Sequence, residues 1–483
     1  MKNRVRTLLA GIMRRSSIPA LYPVYQCCRT VSVDLERPLR IAVTGIKKTG
    51  KSTLMNALLK QYIVPTAVKV MTYNVNWFHH ISCSPDGHEG LVVHLNDGCC
   101  EKYDLAELPE FVTKTRRNKA YIDRIHWVDV YLDSPILKEF DLIDTPGLQS
   151  LLGKDSQHTR DLLTKEENRP DAILYLVSKG IQHSDVEVVR DFHEITGLMS
   201  GINTIAALSR VDELAGQFDD ADLIIDDNLE RYSDVRYYFS SIFPIAAITA
   251  EASTRLSPSD VDNLQRLASM DGIEGFTVTK KKFEEETPCL NKRQRMELCR
   301  KLSISGVRLA VRFIKTGADL QGLRDYLYEF SRVGPLKDYL VKHFGKRAEF
   351  IQCQKALQQI KDACTRAGRF PDVASDARQA LLAIQRDLSS FTSSFEADFQ
   401  AYYILSDYYN LQDYFEENVW ERAKRVLGEY GDSAESHFGI RDGEDIELAR
   451  QKEKAYWNNV SSRYNMMANL KGAAVAKKIV NLL

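Results

Sequence analysis

The pattern of apolar and polar positions changes near residue 255. Before it, short runs rich in β-branched residues alternate with helical periodicities, as in a doubly wound, mostly parallel sheet. Beyond it the strand signals disappear, and apolar residues recur at spacings of three and four. The clearest run comprises Leu381, Ile384, Leu388, Phe391, Phe395, Phe399 and Tyr402, and it predicts one long helix with a buried seam. We therefore expect an α/β domain over residues 37–255 and an elongated all-α helical bundle over residues 256–483.

A phosphate-binding loop is predicted at Gly45-Ile-Lys-Lys-Thr-Gly50-Lys51-Ser52, between the strand-like Ile41-Ala-Val-Thr44 and the helix-like Thr53-Leu-Met-Asn-Ala-Leu-Leu59. Glycines let backbone N–H groups surround the α- and β-phosphates, while Lys51 reaches the β- and γ-phosphates and Ser52 binds Mg²⁺. The predicted nucleotide contacts here are Gly45, Lys47, Lys48, Thr49, Gly50, Lys51, Ser52 and Thr53.

Two further motifs follow in the order typical of switch-type nucleotidases. Asp144-Thr-Pro-Gly147 ends a strand-like run and presents a carboxylate to the magnesium shell and the Gly147 amide to the γ-phosphate. Ser209-Arg210-Val-Asp212 ends another, where the Asp212 carboxylate can accept two hydrogen bonds from guanine. Adenine lacks that donor pair, so Asp212 favours GTP over ATP.

The guanine site has two weaker elements. Arg210 can lay its guanidinium plane over the base and keep a fixed charge. The fifth element would be Pro244-Ile-Ala-Ala247, whose backbone at Ala247 could touch the base.

With these motifs the chain resembles the bacterial dynamin-like GTPases, most closely the shorter partner of the mycobacterial isoniazid-inducible pair. The resemblance lies in Arg37–Gly45, Pro65–Thr72, Ile143–Gly147 and Leu208–Gly216, with weaker echoes at 304–310 and 334–340. It implies a GTPase head on a helical neck or stalk that assembles through its GTPase domains, or with a paired relative, and works on membranes. It also implies that residues 1–36 form a neck helix.

The resemblance places a threonine that closes on Mg²⁺ and the γ-phosphate at Thr72, with Thr66 as the rival position; both could instead be strand threonines. Where eukaryotic dynamins have a glutamine that orients the attacking water, this chain has Lys47. Hydrolysis by the dynamin route is therefore open to question, and the residue that orients the water is not identified.

Composition limits the partners. A net charge of −1 over 483 residues gives no general attraction to nucleic acid, so no nucleic-acid role is expected. The nine cysteines show neither zinc spacing nor a secreted disulfide framework, which favours a reducing cytosol. No run approaches the ~18 to 20 apolar residues that span a bilayer, so membrane contact is expected to be peripheral.

Three segments could meet anionic lipid. Residues 1–33 carry six Lys or Arg residues and no Asp or Glu, which also fits a neck helix or a targeting segment. Ser305–Lys315 and Leu470–Leu483 combine basic residues with an apolar stripe. The alternative for these last two is that they are ordinary bundle helices with solvated basic faces.

The sequence thus predicts a GTPase that hydrolyses GTP to GDP and phosphate with Mg²⁺. Catalysis is assigned to Lys51, Thr72 and Gly147, and metal binding to Ser52, Thr72 and Asp144. The expected location is the cytoplasm, with peripheral contact at the inner face of the cell membrane. Two alternatives remain open: a cytosolic GTP switch that binds a protein partner, and a catalytically weak subunit that scaffolds an active relative.

Overall fold

The computed structural model describes residues 1–16, 18–46, 49–66, 74–113, 118–145, 170–178, 180–196, 203–213, 238–239, 241–317, 319–345, 348–368, 375–406, 411, 414–429, 433–441 and 443–483. The strands are β1 Leu39–Gly45, β2 Asn76–His80, β3 Gly90–Leu95, β4 Cys100–Tyr103, β5 Ile125–Leu132, β6 Phe140–Asp144, β7 Ala172–Ser178, β8 Thr204–Ser209 and β9 Ser241–Pro244.

Helices precede the sheet, interrupt it and follow it. The first three are α1 Lys2–Arg15, α2 Tyr22–Asp34 and α3 Lys51–Leu59. Those between later strands are Leu108–Val112, Lys119–Ile122 and His183–Thr196. Those after β9 are Ala247–Arg255, Pro258–Ala268, Ile273–Phe276, Lys280–Glu286, Lys292–Ile314, Leu320–Phe330, Val333–Leu340, Ala348–Gly368, Ser375–Ser394, Glu396–Ser406, Glu417–Val426, Ala434–Phe438, Ile446–Met466 and Leu470–Leu482.

The nine described strands form one mixed sheet in the order β4-β3-β5-β2-β6-β1-β7-β8-β9. Strands β6, β1, β7, β8 and β9 are all parallel, so their carboxyl ends meet at one edge of the sheet. The register pairs Val43 with Asp144 and Ser178 with Ser209. Antiparallel pairing appears only on the β6 to β4 side of this described sheet. The predicted doubly wound, mostly parallel arrangement is confirmed.

The central strands are buried on both faces, which explains their nearly continuous apolar runs. Ile41 and Val43 of β1 pack with Leu54 and Leu58 of α3 in one core. The alternate residue Ala42 packs in a second core on the opposite face, among side chains of β6, β7 and β8. α3 is thus pressed against the sheet, and the loop before it is held at the carboxyl end of β1.

The N-terminal helices share a core with the helical region. Leu9 of α1 and Val31 of α2 belong to one buried cluster with residues of helices Ala348–Gly368 and Ser375–Ser394. This packing agrees with the expectation of a neck helix, although the boundaries at residues 36 and 255 stay predictions.

A buried ion cluster lies where α2, β7 and helix Ala348–Gly368 meet. The fully buried Asp171 carboxylate accepts hydrogen bonds from Arg37 Nη1 at 2.6 Å and from Lys355 Nζ at 2.7 Å. It also accepts from the backbone N–H of Arg40 at 3.0 Å. Burial alone would raise the pKa of Asp171, but the two cations hold it well below its usual range. One carboxylate therefore ties the first strand of the sheet to two helical segments.

The predicted long helix over residues 381–402 is wrong in one respect. The structure has two helices, Ser375–Ser394 and Glu396–Ser406, with Phe395 in the turn between them. The Phe395 N–H donates to Thr392 O at 3.2 Å, a bond of the tighter i→i−3 type that interrupts the α-helical ladder. The seam itself persists, because Leu381, Leu388 and Phe395 are all buried in the shared core.

The two amphipathic stretches use their apolar stripes internally. In helix Lys292–Ile314, Val307 and Val311 are buried in a core beside the sheet domain. In helix Leu470–Leu482, Val475 and Ile479 are buried in a separate C-terminal core. The interpretation of both as ordinary bundle helices is therefore favoured. Within the described residues, none of the helices is both long enough and apolar enough to cross a bilayer.

Candidate nucleotide-binding site

The loop between β1 and α3 has the geometry of a phosphate cradle. Gly45 adopts φ +147°, and a Cβ there would lie 2.5 Å from Leu176 O, so only glycine fits. Gly50 adopts the left-handed φ of 97° and begins α3. Lys51 Nζ donates to Gly45 O at 3.2 Å and Ile46 O at 3.3 Å, so its ammonium lies over the loop's own backbone. Ser52 and Thr53 occupy the first turn of α3, at the positive end of its dipole.

Asp144 lies on the strand next to this loop. It is the last residue of β6, fully buried, and its register partner Val43 is two residues before Gly45. The following Thr145 is also buried, and its hydroxyl donates to Val43 O at 3.2 Å. The end of β6 is therefore fastened to the strand that leads into the loop, with the Asp144 carboxylate at the same edge as Lys51 and Ser52.

The guanine-motif aspartate is buried and incompletely bonded. Asp212 lies in a single 3₁₀ turn, Val211–Glu213, directly after β8. Its Oδ2 accepts a hydrogen bond from the Ser303 hydroxyl at 2.9 Å, while its buried Oδ1 has no hydrogen-bond partner among the described residues. Burial raises the pKa of Asp212 above its usual range. A ligand that offers two adjacent N–H groups would satisfy both oxygens, and guanine is such a ligand.

Ser209 and Arg210 are placed differently from each other. The buried Ser209 hydroxyl lies 2.6 Å from Thr49 O and 3.0 Å from Val177 O and can donate its proton to one of them at a time. It therefore links the guanine motif to the phosphate loop. Arg210 adopts φ 62°, and its half-exposed guanidinium pairs with Glu213 at 3.3 Å. A half-exposed guanidinium remains available to cover a base.

The predicted fifth element adjoins this motif through the backbone. The Ile245 N–H donates to Leu208 O at 2.9 Å, and the Val211 N–H donates to Ile245 O at 3.4 Å. Ala247 begins helix Ala247–Arg255 and is buried. The ends of the parallel strands β1, β6, β8 and β9 thus bring Gly45, Asp144, Ser209, Asp212 and Ala247 to one edge. Lys47, Lys48, Thr72 and Gly147 lie outside the described residues; the rival Thr66 is described, with its hydroxyl 3.3 Å from Tyr62 OH.

Two site-supporting residues were missed by the sequence analysis. Asn56, fully buried in α3, donates to Val64 O at 2.8 Å and Glu251 Oε1 at 2.7 Å and accepts from the Val64 N–H at 2.8 Å. It fixes the segment that follows α3 and ties it to helix Ala247–Arg255. An asparagine in an apolar helix interior goes against helix propensity, and this signal could have revealed it. Ser303 contacts Asp212 from 91 residues away, and no local signal predicts that contact.

Comparison with known proteins bears on this geometry. Residues 41–194 match the model of the dynamin family. This match supports a dynamin-like GTPase fold for that part of the chain. The resemblance noted in the sequence is thereby confirmed, and the sheet, the phosphate loop and Asp144 all lie in or next to the matched segment.

Two curated relatives come from bacteria. The chain is 24% identical over 384 residues to isoniazid-induced protein IniC of Mycobacterium tuberculosis, and the alignment covers 74% of this chain and 74% of that protein. It is 24% identical over 268 residues to dynamin-like protein 2 of Campylobacter jejuni, or 55% of this chain and 39% of that protein. A solved structure of an oligomerised bacterial dynamin pair also matches. The alignment covers all of this chain and 89% of the solved chain, at 13% identity and a TM-score of 0.37.

Proposed function

We propose that this dynamin-like protein binds GTP with Mg²⁺, hydrolyses it to GDP and phosphate, and couples the nucleotide state to self-association and peripheral membrane contact. The observation that carries the nucleotide part is the arrangement at one sheet edge. The glycine-dependent loop around Lys51 follows β1 and lies beside the end of β6. Asp212 is buried after β8, two strands from β1, and its Oδ1 has no hydrogen-bond donor among the described residues. A buried polar atom left without a partner costs about 1–3 kcal/mol, which a bound guanine would recover.

The described residues divide the work by position. Lys51 would leave its contacts with Gly45 O and Ile46 O to neutralise the β- and γ-phosphates. The Ser52 hydroxyl and the Asp144 carboxylate would hold Mg²⁺, which supplies charge neutralisation during phosphoryl transfer. Asp212 would accept the guanine N–H groups while Ser303 keeps its carboxylate oriented. Thr72 and Gly147 are proposed from sequence alone, to close over the γ-phosphate and sense its loss.

An exposed apolar turn supports the membrane part. Met466, Met467 and Leu470 are 86%, 65% and 70% exposed in the turn that joins helices Ile446–Met466 and Leu470–Leu482. Large apolar side chains that cluster in full exposure typically mark an interaction surface. Asn469 fixes the turn, because its side chain accepts from the Gly472 N–H at 2.9 Å and donates to Tyr414 O at 2.6 Å.

The basic residue Lys471 follows the turn directly, which suits the anionic surface of a bilayer. Anionic lipid is therefore the partner we propose for this turn. One of the relatives named above, dynamin-like protein 2, is dynamin-like by name, and the pairing described for the solved bacterial structure is a property of that assembly. Self-association through the GTPase domain is proposed here from family membership.

The test is GTP turnover measured across protein concentrations, with and without anionic liposomes, and with ATP as the control nucleotide. We expect the rate per molecule to rise with concentration and again on liposomes. Lys51→Ala should abolish nucleotide binding, and Asp212→Asn should selectively weaken GTP. Unchanged GTP affinity in Asp212→Asn would refute the role of this carboxylate.

Liposome co-sedimentation tests the exposed turn. Replacing Met466, Met467 and Leu470 with serine should remove lipid binding and leave the GTPase rate without liposomes unchanged. The matched control is Val33→Ser with Val278→Ser, which removes two isolated apolar side chains that are 71% and 62% exposed. Equal sedimentation of both variants would show that the turn does not bind lipid.

Lys47 replaces the dynamin glutamine, and this substitution favours a second candidate function. In it the protein binds GTP tightly, hydrolyses it slowly, and acts as a switch or scaffold subunit through a protein partner. A flat, very slow turnover with tight GTP binding and no liposome effect would favour it over the first proposal.

A further inference from the structure

A hydrogen-bonded series of side chains crosses five adjacent strands, from the edge strand β4 to β6. Cys100 of β4 lies opposite His94 of β3, with Sγ 3.2 Å from Nδ1. His94 Nε2 is 2.8 Å from Asp129 Oδ2 on β5. Asp129 Oδ1 is 3.1 Å from His79 Nε2 on β2, and His79 Nδ1 is 3.0 Å from Asp141 Oδ2 on β6.

The carboxylates in this series determine where the protons are. Asp129 is buried, which opposes ionisation, but hydrogen bonds from His79 and His94 lower its pKa to about 2. Burial likewise lowers the pKa of His79, but its bonds to Asp129 and Asp141 raise it to about 9. His79 is therefore an imidazolium that donates from both nitrogens, and ionised Asp129 can only accept.

It follows that His94 Nε2 carries a proton and donates it to Asp129. The other nitrogen, Nδ1, is then available to Cys100. The Cys100–His94 pair shares one proton, either as thiol and imidazole or as thiolate and imidazolium. A nucleophile, a base within hydrogen-bond reach and a carboxylate that orients the base together make an activated thiol arrangement. His94 is further held in place by stacking on Trp127 at 4.2 Å.

The three exposed cysteines of this chain differ in their surroundings. Cys99, next to Cys100 in sequence, hydrogen-bonds the Asp97 carboxylate, which raises the pKa of its thiol. Cys28, Cys299, Cys353 and Cys364 are buried, and burial raises the pKa of their thiols. Cys83, Cys99 and Cys100 are exposed, and among the described contacts of these three thiols Cys100 is the one bonded to an imidazole.

We propose that Cys100 is a modification site that reacts with low-molecular-weight disulfides, with His94 as its base and Asp129 as the positioning residue. In the reaction the Cys100 thiol passes its proton to His94 Nδ1, and the thiolate attacks one sulfur of the disulfide RS–SR. A Cys100–SR bond forms as the RS–SR bond breaks. The departing RS⁻ takes the proton from His94 and leaves as RSH, so Cys100 is oxidised as half of the reagent is reduced. The site does not depend on nucleotide.

Other titratable and charged groups surround the Cys100–His94 pair. Those in the chain of contacts and on the flanking strands and turns are His79, Asp97, Glu101, Lys102, Arg124, His126, Asp129 and Asp141. Glu101 is occupied by the hydroxyls of Tyr103 and Tyr121, and Asp97 by Arg124 and Cys99. The carboxylate that orients the His94 base is therefore Asp129.

The experiment compares two full-length variants that each keep one cysteine of the adjacent pair. In the first variant, Cys83→Ser and Cys99→Ser leave Cys100 as the remaining exposed cysteine. In the matched control, Cys83→Ser and Cys100→Ser leave Cys99 as the remaining exposed cysteine. Each is treated with oxidised glutathione at neutral pH, and the mixed disulfide is located and timed by peptide mass spectrometry. We expect Cys100 to react at least about tenfold faster than Cys99, since only Cys100 of the two has an imidazole within reach to accept its proton during the attack. Equal rates would overturn the proposal.

His94→Gln in the Cys100 variant should bring its rate close to that of Cys99. The comparison of the Cys99 and Cys100 variants keeps His94 intact and does not depend on this substitution being folded. A His94→Gln variant that reacts as fast as its parent would contradict the role of His94.

Discussion

Asp171→Asn tests whether one buried carboxylate holds the sheet to the helical neck. The side chain is fully buried and receives hydrogen bonds from Arg37, from Lys355 and from the Arg40 backbone. Removing one partner of a buried ion pair costs about 3–5 kcal/mol, because the remaining charge is left without compensation. Arg37 keeps a second carboxylate, Asp34, at 3.2 Å, which places the expected loss near the lower limit, about 3 kcal/mol.

Hydrogen exchange followed by mass spectrometry measures this loss locally. The amides of α2, β7 and helix Ala348–Gly368 should open about a hundredfold more often, the equivalent of about 3 kcal/mol. Peptides from helices Ile446–Met466 and Leu470–Leu482, which have a separate core, should keep their rates. The asparagine variant should also lose less stability than the wild type in acid. A carboxyl with a depressed pKa stabilises the fold above its unfolded pKa, and this contribution is lost as the pH falls below about 4.

The matched control is Asp387→Asn. Asp387 pairs with Arg15 between α1 and helix Ser375–Ser394, but both side chains are almost half exposed. Solvent screening limits such a pair to about 1 kcal/mol or less. If Asp171→Asn exchanged no faster than Asp387→Asn, the ion cluster would not be what joins these elements, and apolar packing around Leu9 and Val31 would have to account for the joint.

Three further outcomes are expected. Gly45→Ala should abolish GTP binding, because its Cβ would lie 2.5 Å from Leu176 O at a φ of +147°; Gly11→Ala, in open space, should bind normally. Ser303→Ala should weaken GTP binding up to about tenfold in a fluorescence titration, since one hydrogen bond that orients Asp212 is worth about 1 kcal/mol; an unchanged affinity would remove Ser303 from the site. Protonated His79, whose pKa is raised from 6.5 to about 9, stabilises the fold. This contribution is fully present below pH 6.5 and is lost as the pH rises through about 9. Denaturant unfolding should therefore show stability that declines over this range, and His79→Gln should flatten the decline.

The elements that the sequence predicted well are those whose information is local. β1, β6 and β8 end at or within one residue of the predicted positions because each is an apolar run closed by a motif residue. The phosphate loop needs a strand before it and a helix after it, and both are visible in the sequence. The break at Phe395 was missed because the seam continues through it: burial of Phe395 satisfies the periodicity whether or not the helix is continuous.

The rest of the site depends on contacts between distant segments. Ser303 meets Asp212 because helix Lys292–Ile314 packs against the turn Val211–Glu213, and Lys355 meets Asp171 because helix Ala348–Gly368 packs on α2. Neither meeting leaves a periodicity or a motif in the chain. The exposed turn at Met466 was missed for a related reason: its neighbours Val475 and Ile479 suggested a lipid-facing stripe, and only the fold shows that this stripe is buried.

Three residues that break local rules lie on elements that flank the predicted nucleotide site. Asn56 is a polar side chain inside a buried helix, Ser303 adopts φ 61° within a helix, and Asp212 has a buried oxygen without a described partner. Each costs stability: about 0.5–1 kcal/mol for a poor helix former, and about 1–3 kcal/mol each for the strained backbone and the unmet oxygen. A sequence under selection for stability alone would replace such residues, and a binding site keeps them because the ligand completes the contacts. Of these three, the unmet Asp212 oxygen is the one whose cost a bound guanine would remove directly, because guanine would donate a hydrogen bond to it.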